Sequence, residues 1–559
     1  MTRQSGPTWR RYIPAARWLA DYRTKLLPAD AVAGATLAAY AIPVSLAYAA
    51  LAGLPPQVGI YGYLLGGVGY ALLGSSRQLA IGPTSAISLM IADTVAAMDA
   101  QRYAQIASLA ALMVALLCLT AWLLRLSILV RLISDSILVG FKAGAGLTIA
   151  MTQLPSLLGV AGGGHNFFER VVLLAGQLGH IQYLVLALGV VAILLLVLGE
   201  RLLPARPVAL AVVALSIVVA SAFGLADLGV PTTGEIPAGL PSLAPPELRL
   251  RDVEGIVPLA AGCLLLAYIE GVSAARTFAA KHEYSIDPRQ EFLGIGAANL
   301  LAGLGHGYPV AGGLSQSAVN DKAGARTPLA LIFASCTLAL CLLFLTGLLA
   351  DLPKAVLAAV VLTAVYGLID FPAMLRMWRI SRMDFYAAAI ALIAVLLLGI
   401  LQGILLAALA SVLMLLARAS SPHVAFLGRV PGTNSFSDLA RHPENEVLPH
   451  VIAFRPEASL LYVNADSVLE SVSRRLETEA GSGIRLVVCD LSASPHIDLA
   501  GARMLHRLHD ELARRGVQLR IVGARGRVRD LLRAEGIGEK VGGLGRLVTL
   551  DDLLGSVGR

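Results

Sequence analysis

Three small polar clusters stand in apolar sequence, and their residue types limit what chemistry is open to the chain. Ser315, Gln316 and Ser317 follow Gly312-Gly313 in the stretch 301–329, LAGLGHGYPVAGGLSQSAVNDKAGARTPL. Thr84 and Ser85 follow Gly82-Pro83 in the stretch 74–90, GSSRQLAIGPTSAISLM. Glu270, with Ser273 and Thr277 at i+3 and i+7, lies inside LLLAYIEGVSAARTFAA. Hydroxyls and an amide at a helix start, beside backbone N–H groups without intrahelical partners, are the outline of an anion site. A lone carboxyl deep in apolar sequence is expensive, and marks either ion coupling and substrate positioning or a bond to a neighbouring broken helix. Residues 270, 273 and 277 share one helix face, expected to look into the protein. Sodium is disfavoured there rather than excluded: Ala274 at i+4 offers no side-chain oxygen, while Ser273, Thr277 and loop carbonyls could contribute.

The elements that position these clusters are interrupted ones. Gly305, Gly307, Pro309, Gly312 and Gly313 deny a regular helix to a segment between two strongly apolar runs, and irregular backbone at membrane depth is tolerated only where protein or water satisfies it. A short helix then starts at Leu314; in the other half Pro83 opens another. Two interrupted segments at matching places point to inverted repeats whose half-helix N-termini face a shared substrate, with helix-packing re-entrant loops as the alternative. Pro43 should break the first apolar segment near mid-depth, so that freed carbonyls, Ser45, Tyr48 and Tyr61 line the site, or else the tyrosines simply pack. His306 is a proton relay or a hydrogen-bonded loop residue. Asn320 and Asp321 are expected to cap or gate the short helix.

Of 559 residues, 57% are hydrophobic and 14% charged, a polytopic membrane protein with a more polar end. A net charge of +7 would suggest nucleic acid in a soluble chain. Here the Lys and Arg sit in short loops between apolar runs and read as topology signals, so no nucleic-acid partner is expected. The start, MTRQSGPTWRRYIPAARWLADYRTK, has no apolar run of a signal peptide. Cys118, Cys263, Cys336, Cys341 and Cys489 lack metal spacing and are expected as buried thiols. No nucleophile–base pair, phosphate loop or metal cluster is visible, so neither an enzyme nor a cofactor or metal is expected.

Apolar segments fall at 30–48, 57–74, 83–98, 103–125, 131–154, 181–199, 206–224, 255–279, 289–304, 313–321, 327–349, 354–370, 384–400 and 402–418, fourteen in all, split seven and seven. Arg77, Arg125 with Arg131, Arg201 with Arg206, Arg276 with Lys281, Lys322 with Arg326, and Arg376 with Arg379 and Arg382 fall on the side of the N-terminus. The opposite loop 225–254 carries Asp227, Glu235, Glu247, Asp252 and Glu254, which puts both termini in the cytoplasm of an inner-membrane protein. The expected plan is a cytoplasmic segment 1–28, a transport domain 29–420 (repeats about 29–250 and 251–420), a linker 421–447 and a cytoplasmic domain 448–559. In the last, strands are expected at HVIAFRPEA, SLLYVN, RLVVCDL and VQLRIVG, and helices at 465–479, 499–514 and 528–534, a small α/β fold.

With those residues placed, the chain resembles the SulP anion transporters, or sulfate permeases. The matching motifs are DAVAGATLAAYAIPVSLAYAALAGLPPQVGIYG, GSSRQLAIGPTSAISLM, EGVSAARTFAAKHEYSIDPRQE and GYPVAGGLSQSAVNDKAGARTPLA, with VVCDLSASPHIDLAGARML resembling a STAS domain. The resemblance implies fourteen segments in two inverted seven-segment repeats, a core domain moving against a gate domain in an elevator-like dimer, and the anion between the third and tenth segments. Val44 stands where many members have Gln after the proline, and Gln316 where many have Arg, so the usual fixed positive charge is missing. The anion then depends on two helix dipoles, backbone N–H groups and Thr84, Ser85 and Ser315, with Gln316, Ser317 and Tyr48 completing the expected substrate site. Ionised Glu270 would repel an anion and protonation removes the conflict, so proton symport of sulfate, bicarbonate or a dicarboxylate is expected, with Glu270, Ser273 and Thr277 as the coupling site. The alternatives are sodium symport, an anion exchanger or channel, a nucleobase transporter of the same architecture, and a sensor signalling to a cytoplasmic partner through the STAS-like domain. In that domain Leu499 replaces the phosphorylatable Ser or Thr of related regulators, leaving Ser492 and Ser494 as candidates.

Overall fold

A computed structural model describes residues 14–20, 22–95, 102–126, 134–164, 166–203, 207–247, 249–479, 481, 483–546 and 548–557. Residues 1–13 of the expected N-terminal segment, and Arg131 and Arg206 of the topology argument, lie outside the described residues. The chain divides into two compact units, Met1–Ser411 and Val412–Arg559.

After a short α1 (Ala15–Ala20), the first unit runs α2 (Leu27–Leu51), α3 (Pro56–Leu73), β1 (Ile81–Gly82), α4 (Ser85–Val95), α5 (Tyr103–Leu123), α6 (Asp135–Leu158), α7 (Phe167–Gln177), α8 (Tyr183–Leu202) and α9 (Val208–Ala222). The same order of elements then recurs: α10 (Leu250–Lys281), α11 (Pro288–Leu304), β2 (Ala311–Gly312), α12 (Leu314–Lys322), α13 (Leu329–Phe344), α14 (Lys354–Tyr366), α15 (Phe371–Ile380), α16 (Arg382–Leu398) and α17 (Ile400–Ser420). All fourteen expected segments are present in this series, and among the described residues seven stretches are long and apolar enough to cross a bilayer alone. The short α7 and α15 were not expected. Both are amphipathic, so charges such as Arg376 and Arg379 break up the apolar run while Phe371, Leu375 and Trp378 stay exposed.

Packing sorts the helices into two groups. α11 lies between α3 and α5 while α2 packs on α3, α12 and α13; α6 packs on α8, α14 and α16; and the groups meet where α14 touches α2 and α6 touches α4. Pro43 does not break α2, which is helical through it. A proline removes one N–H from the ladder, and tight packing on both sides holds the helix together. The Ser45 hydroxyl donates to the Ile42 carbonyl at 3.0 Å within that helix, and so is not free to line a site.

The second unit is a five-stranded sheet in the order β4 (Phe436–Asp438), β3 (Val424–Arg429), β5 (Val451–Pro456), β6 (Leu486–Asp490), β7 (Gln518–Val522). β3 is antiparallel to both neighbours; β5, β6 and β7 are parallel. α18 (Ala465–Thr478), α19 (Leu499–Arg514), α20 (Gly526–Ala534), α21 (Ile537–Lys540) and α22 (Leu550–Val557) complete it. The stretch 421–447 is therefore not simply a linker, since β3 and β4 pair into the sheet; their short apolar runs are masked by the Gly, Ser and Asn of the turn between them. SLLYVN is not a strand either: Leu460 makes a single bridge to Ile497, and Asn464 accepts from the Leu461 N–H at 2.9 Å to form a turn.

Candidate functional site

The site begins with two extended dipeptides. β1 pairs antiparallel with β2, Ile81 opposite Gly312 and Gly82 opposite Ala311, and a half-helix follows each strand directly. The ladder therefore brings the N-termini of α4 and α12 together inside the protein. In each first turn the leading N–H groups have no intrahelical acceptor, and each dipole presents about half a positive charge.

Side chains lock the crossing. Gln316 Nε2 donates to the Pro83 carbonyl at 2.8 Å, tying α12 to the start of α4. Ser317 Oγ donates to the Gly313 carbonyl at 2.8 Å and accepts from the Ala80 N–H at 2.9 Å. Asn299 on α11 clamps residue 310 from both sides, accepting its N–H and donating to its carbonyl at 3.0 Å each. The hydroxyls of Ser88 and Tyr308 bond across the repeats at 2.8 Å. Asn299, Ser88 and Tyr308 were not singled out for these roles, since nothing in their local sequence shows a partner more than ten residues away.

Two polar atoms at the crossing stay unanswered. Thr84 Oγ1 and Gln316 Oε1 are buried without a hydrogen-bond partner, although buried hydroxyls and amides are normally satisfied. Ser85, the first residue of α4, is buried, and Tyr48 on α2 lies within hydrogen-bonding reach of its hydroxyl. Ser315, the second residue of α12, is exposed. Thr84, Ser85, Tyr48 and Ser315 thus leave their hydroxyl chemistry available around the two N-termini, whereas Ser317 is engaged with backbone on both sides and acts as a strut.

Glu270 reaches the crossing through backbone contact. Its neighbour Gly271 lies against Gly312 so closely that a Cβ on Gly312 would sit 2.9 Å from the Gly271 Cα. Tyr268, two residues before, stacks on Phe292 with centroids 3.9 Å apart and donates to the Pro288 carbonyl at 2.7 Å, fixing α10 against α11. Glu270 is half-buried. Ser273 and Thr277 do not look into the protein as expected: both are exposed, and the Thr277 hydroxyl donates to the Ser273 carbonyl at 2.9 Å. The buried face of α10 is set by Gly271, Ala274, Ala275 and Phe278, which leaves Glu270 at its edge. His306 occupies a left-handed turn (φ 57) after α11. Asn320 Nδ2 donates to the Gln78 carbonyl, while Asp321 accepts from Lys281 Nζ at 2.6 Å and bonds His282. Among the described residues no group of His, Cys, Asp and Glu could hold a metal ion.

The profile of the sulfate permease family matches residues 27–391, and that of the STAS domain residues 442–549. The chain belongs to the sulfate permease family. Among its relatives is a Mycobacterium tuberculosis protein named "Probable sulfate transporter", 34% identical over 534 residues that span 95% of each chain. "Sulfate transporter 4.1, chloroplastic" of Arabidopsis thaliana is 30% identical, over 95% of this chain and 80% of its own. Two solved structures show the same fold. Murine Slc26a9 in the inward-facing state matches with TM-score 0.89 at 20% identity, covering 100% of this chain and 96% of its own. The transmembrane domain of the cyanobacterial bicarbonate transporter BicA matches with TM-score 0.60 at 23% identity, over 70% of this chain and 98% of its own. This sulfate permease relative is thus a multi-pass membrane anion transporter with two inverted repeats, core and gate, and a C-terminal STAS domain.

In that STAS domain the loop after β6 is firmly built. Asp498 caps α19 by accepting the Gly501 N–H, and Ser494 is buried, donating to the Ala458 carbonyl at 2.7 Å. Ser494 is therefore not open to modification as the folded domain stands, while Ser492 is exposed.

Proposed function

We propose that the chain is a secondary active transporter of a small oxyanion, sulfate, bicarbonate or a dicarboxylate, driven by proton symport. One observation carries the reading: two half-helix N-termini abut through a two-residue ladder, with the unpartnered Thr84 Oγ1 and Gln316 Oε1 buried beside them and Glu270 at the adjoining turn. Thr84, Ser85, Ser315, Gln316 and Tyr48 form the substrate site. Gln316 orients it through Pro83, and Ser317 braces it. Glu270 is the coupling group: ionised it repels the anion, and a proton taken up with the anion removes the repulsion. Ser273 and Thr277 border it on the exposed face. The names of the relatives support sulfate, and that of one structural neighbour supports bicarbonate.

Transport then proceeds by elevator-like movement of the group containing α4, α10 and α12 against the group containing α6 and α14, in a homodimer within the lipid bilayer. Both termini lie in the cytoplasm of an inner-membrane protein, the transport domain extends over about 29–420, and the STAS domain meets a cytoplasmic protein partner. The test is uptake of labelled sulfate, bicarbonate, fumarate and succinate into proteoliposomes under an imposed proton or sodium gradient. One anion should accumulate with an inward proton gradient, and Glu270→Gln should abolish that dependence. Uptake that follows sodium, or that ignores both gradients and the substitution, would overturn the coupling assignment.

A further inference from the structure

A cavity of about 520 Å³ lies between the two helix groups, with Thr233 of the loop 225–254 in its wall. One side is built from the last turn of α2 and the later turns of α4. The other side is built from α6, α14 and Arg170 of α7, a helix that packs on α6 and α16. Leu89 in the α4 wall is buried and stands about 6 Å along the helix axis from Ser85, at 1.5 Å per residue. Gly162, Gly163 and Lys354 in the same lining are exposed, so the cavity reaches from the neighbourhood of the half-helix crossing to the surface. At about 30 Å³ per water it has room for a small oxyanion that keeps much of its hydration shell.

Arg170 and Lys354 line this cavity, and among the described residues no Asp or Glu does. A cleft walled by one sign of charge concentrates ions of the other. The Lys354 ammonium has no ion pair among the described residues, while its backbone N–H donates to the Pro231 carbonyl at 2.9 Å and anchors the start of α14. Arg170 is held from two sides and its side chain is only 13% exposed. Its Nε donates to the Gly164 carbonyl and its Nη2 to Asp93 on α4, each at 3.1 Å, and Nη1 has no partner among the described residues. The Asp93–Arg170 pair therefore ties one helix group to the other. Such a largely buried pair contributes little net stability, and movement of the groups past each other must break it.

We propose that this cavity is a capture site for the transported oxyanion, where Lys354 and Arg170 receive the hydrated anion and Arg170 exchanges the Asp93 carboxylate for it. The inference rests on the transport reading and the orientation given above, which make this the outer face, and it adds a second anion site ahead of the crossing. A guanidinium suits the exchange, because its planar fork of donors fits two oxygens of a carboxylate or of an oxyanion alike. Asp93 is then the resident counter-ion of the empty cavity. Displacing it releases α4 from α7, so that loading the cavity loosens the seam along which the groups move. Binding there is weak, since Asp93 competes for Arg170 and water stays around the anion, and a site on a transport path must let its ion leave.

The test measures transport from each face, into intact cells and into inverted membrane vesicles, using labelled sulfate or whichever of the four oxyanions the wild type accumulates. Lys354→Met should raise the half-saturating concentration for uptake into cells about threefold, the size of a solvent-exposed charge contact, and Lys354→Arg should stay near wild type. Arg170→Gln should raise it about tenfold, as for a charge-assisted hydrogen bond, whereas Asp93→Asn should lower it by removing the competitor. Each shift should be larger from the outer face than in inverted vesicles. If the pair were only a brace, losing either half would impair transport in the same direction. Lys354 is exposed, so its variants carry the test even where an Arg170 variant fails to fold. Impairment of the same sign in Arg170→Gln and Asp93→Asn, unchanged half-saturation in Lys354→Met, or equal shifts from both faces overturns the capture site and leaves the transport reading standing. A wild type that moves none of the four oxyanions overturns the transport reading, and this inference with it.

Discussion

Gln316 donates its amide hydrogen to the carbonyl of Pro83 at 2.8 Å, across 233 residues of sequence. The third residue of one half-helix thereby holds the residue that opens the other, so the two N-termini are fixed to each other by a side chain as well as by the β1–β2 ladder. Gln316→Met keeps the volume and removes the bond. Thermal stability should fall modestly, by about 1 kcal/mol, the usual net value of one hydrogen bond. Uptake should fall much further, because the geometry of the anion site depends on the tie. A thermal loss with unimpaired uptake would show that Gln316 only braces the fold.

Gly312 admits no side chain, since a Cβ there meets the Gly271 Cα at 2.9 Å and the Leu79 side chain at the same distance. Gly312→Ala should push α10 from the crossing and move Glu270 with it. The expected outcome is loss of proton-dependent uptake together with a lower melting temperature. Retention of both would show that the Gly271–Gly312 approach does not position Glu270.

Glu291 is fully buried and accepts three hydrogen bonds, from the Tyr70 hydroxyl at 2.8 Å and from the N–H and hydroxyl of Ser75 at 3.0 and 2.5 Å. Glu291→Ala leaves these donors buried and unpaired and should destabilise the membrane unit by about 3 kcal/mol or more. Glu291→Gln, which keeps an acceptor oxygen, should cost markedly less. Fluorescence-detected melting of the purified protein separates the two, and equal losses would count against the donor argument.

In the STAS domain burial disfavours the Asp438 carboxylate, but the His423 ring nitrogen at 2.7 Å and the Ala440 N–H outweigh it, holding its pKa below the ordinary value. A depressed folded-state pKa stabilises at pH above the unfolded value of about 3.9 and ceases to do so as pH falls through the folded one. Residues 412–559 carry their own apolar cores. Their melting temperature should fall between about pH 5 and pH 3, and Asp438→Asn should lower it at pH 6 while flattening that slope. An unchanged slope would show that other carboxylates dominate.

Much of the membrane unit was legible because its signals are local. Long apolar runs, and Gly-Pro chemistry at residues 82–83 and 305–313, mark segments and breaks without reference to partners. That pattern placed Thr84, Ser85 and Gln316 at the half-helix starts, where the structure has them. Partners far apart in sequence left no such signal: this hid the pairing of Asn299 with residue 310, and Asp30, which is buried at the start of α2 and accepts from the N–H groups of Arg326 and Thr327 at 2.7 and 3.0 Å. Pro43 misled for the opposite reason: a strong local breaker was overridden by tertiary packing.

The β1–β2 ladder also has a consequence for biosynthesis. Ile81 pairs with Gly312, and at 5–20 residues per second the ribosome delivers that partner on the order of tens of seconds later. During that interval the nascent first repeat holds an extended, unpaired backbone at the depth of the lipid. The half-made protein therefore needs shelter from a translocon or insertase until the second repeat emerges. Chains stalled before residue 312 has cleared the ribosome should be marked for membrane quality control, while chains stalled after it has reached the membrane should escape.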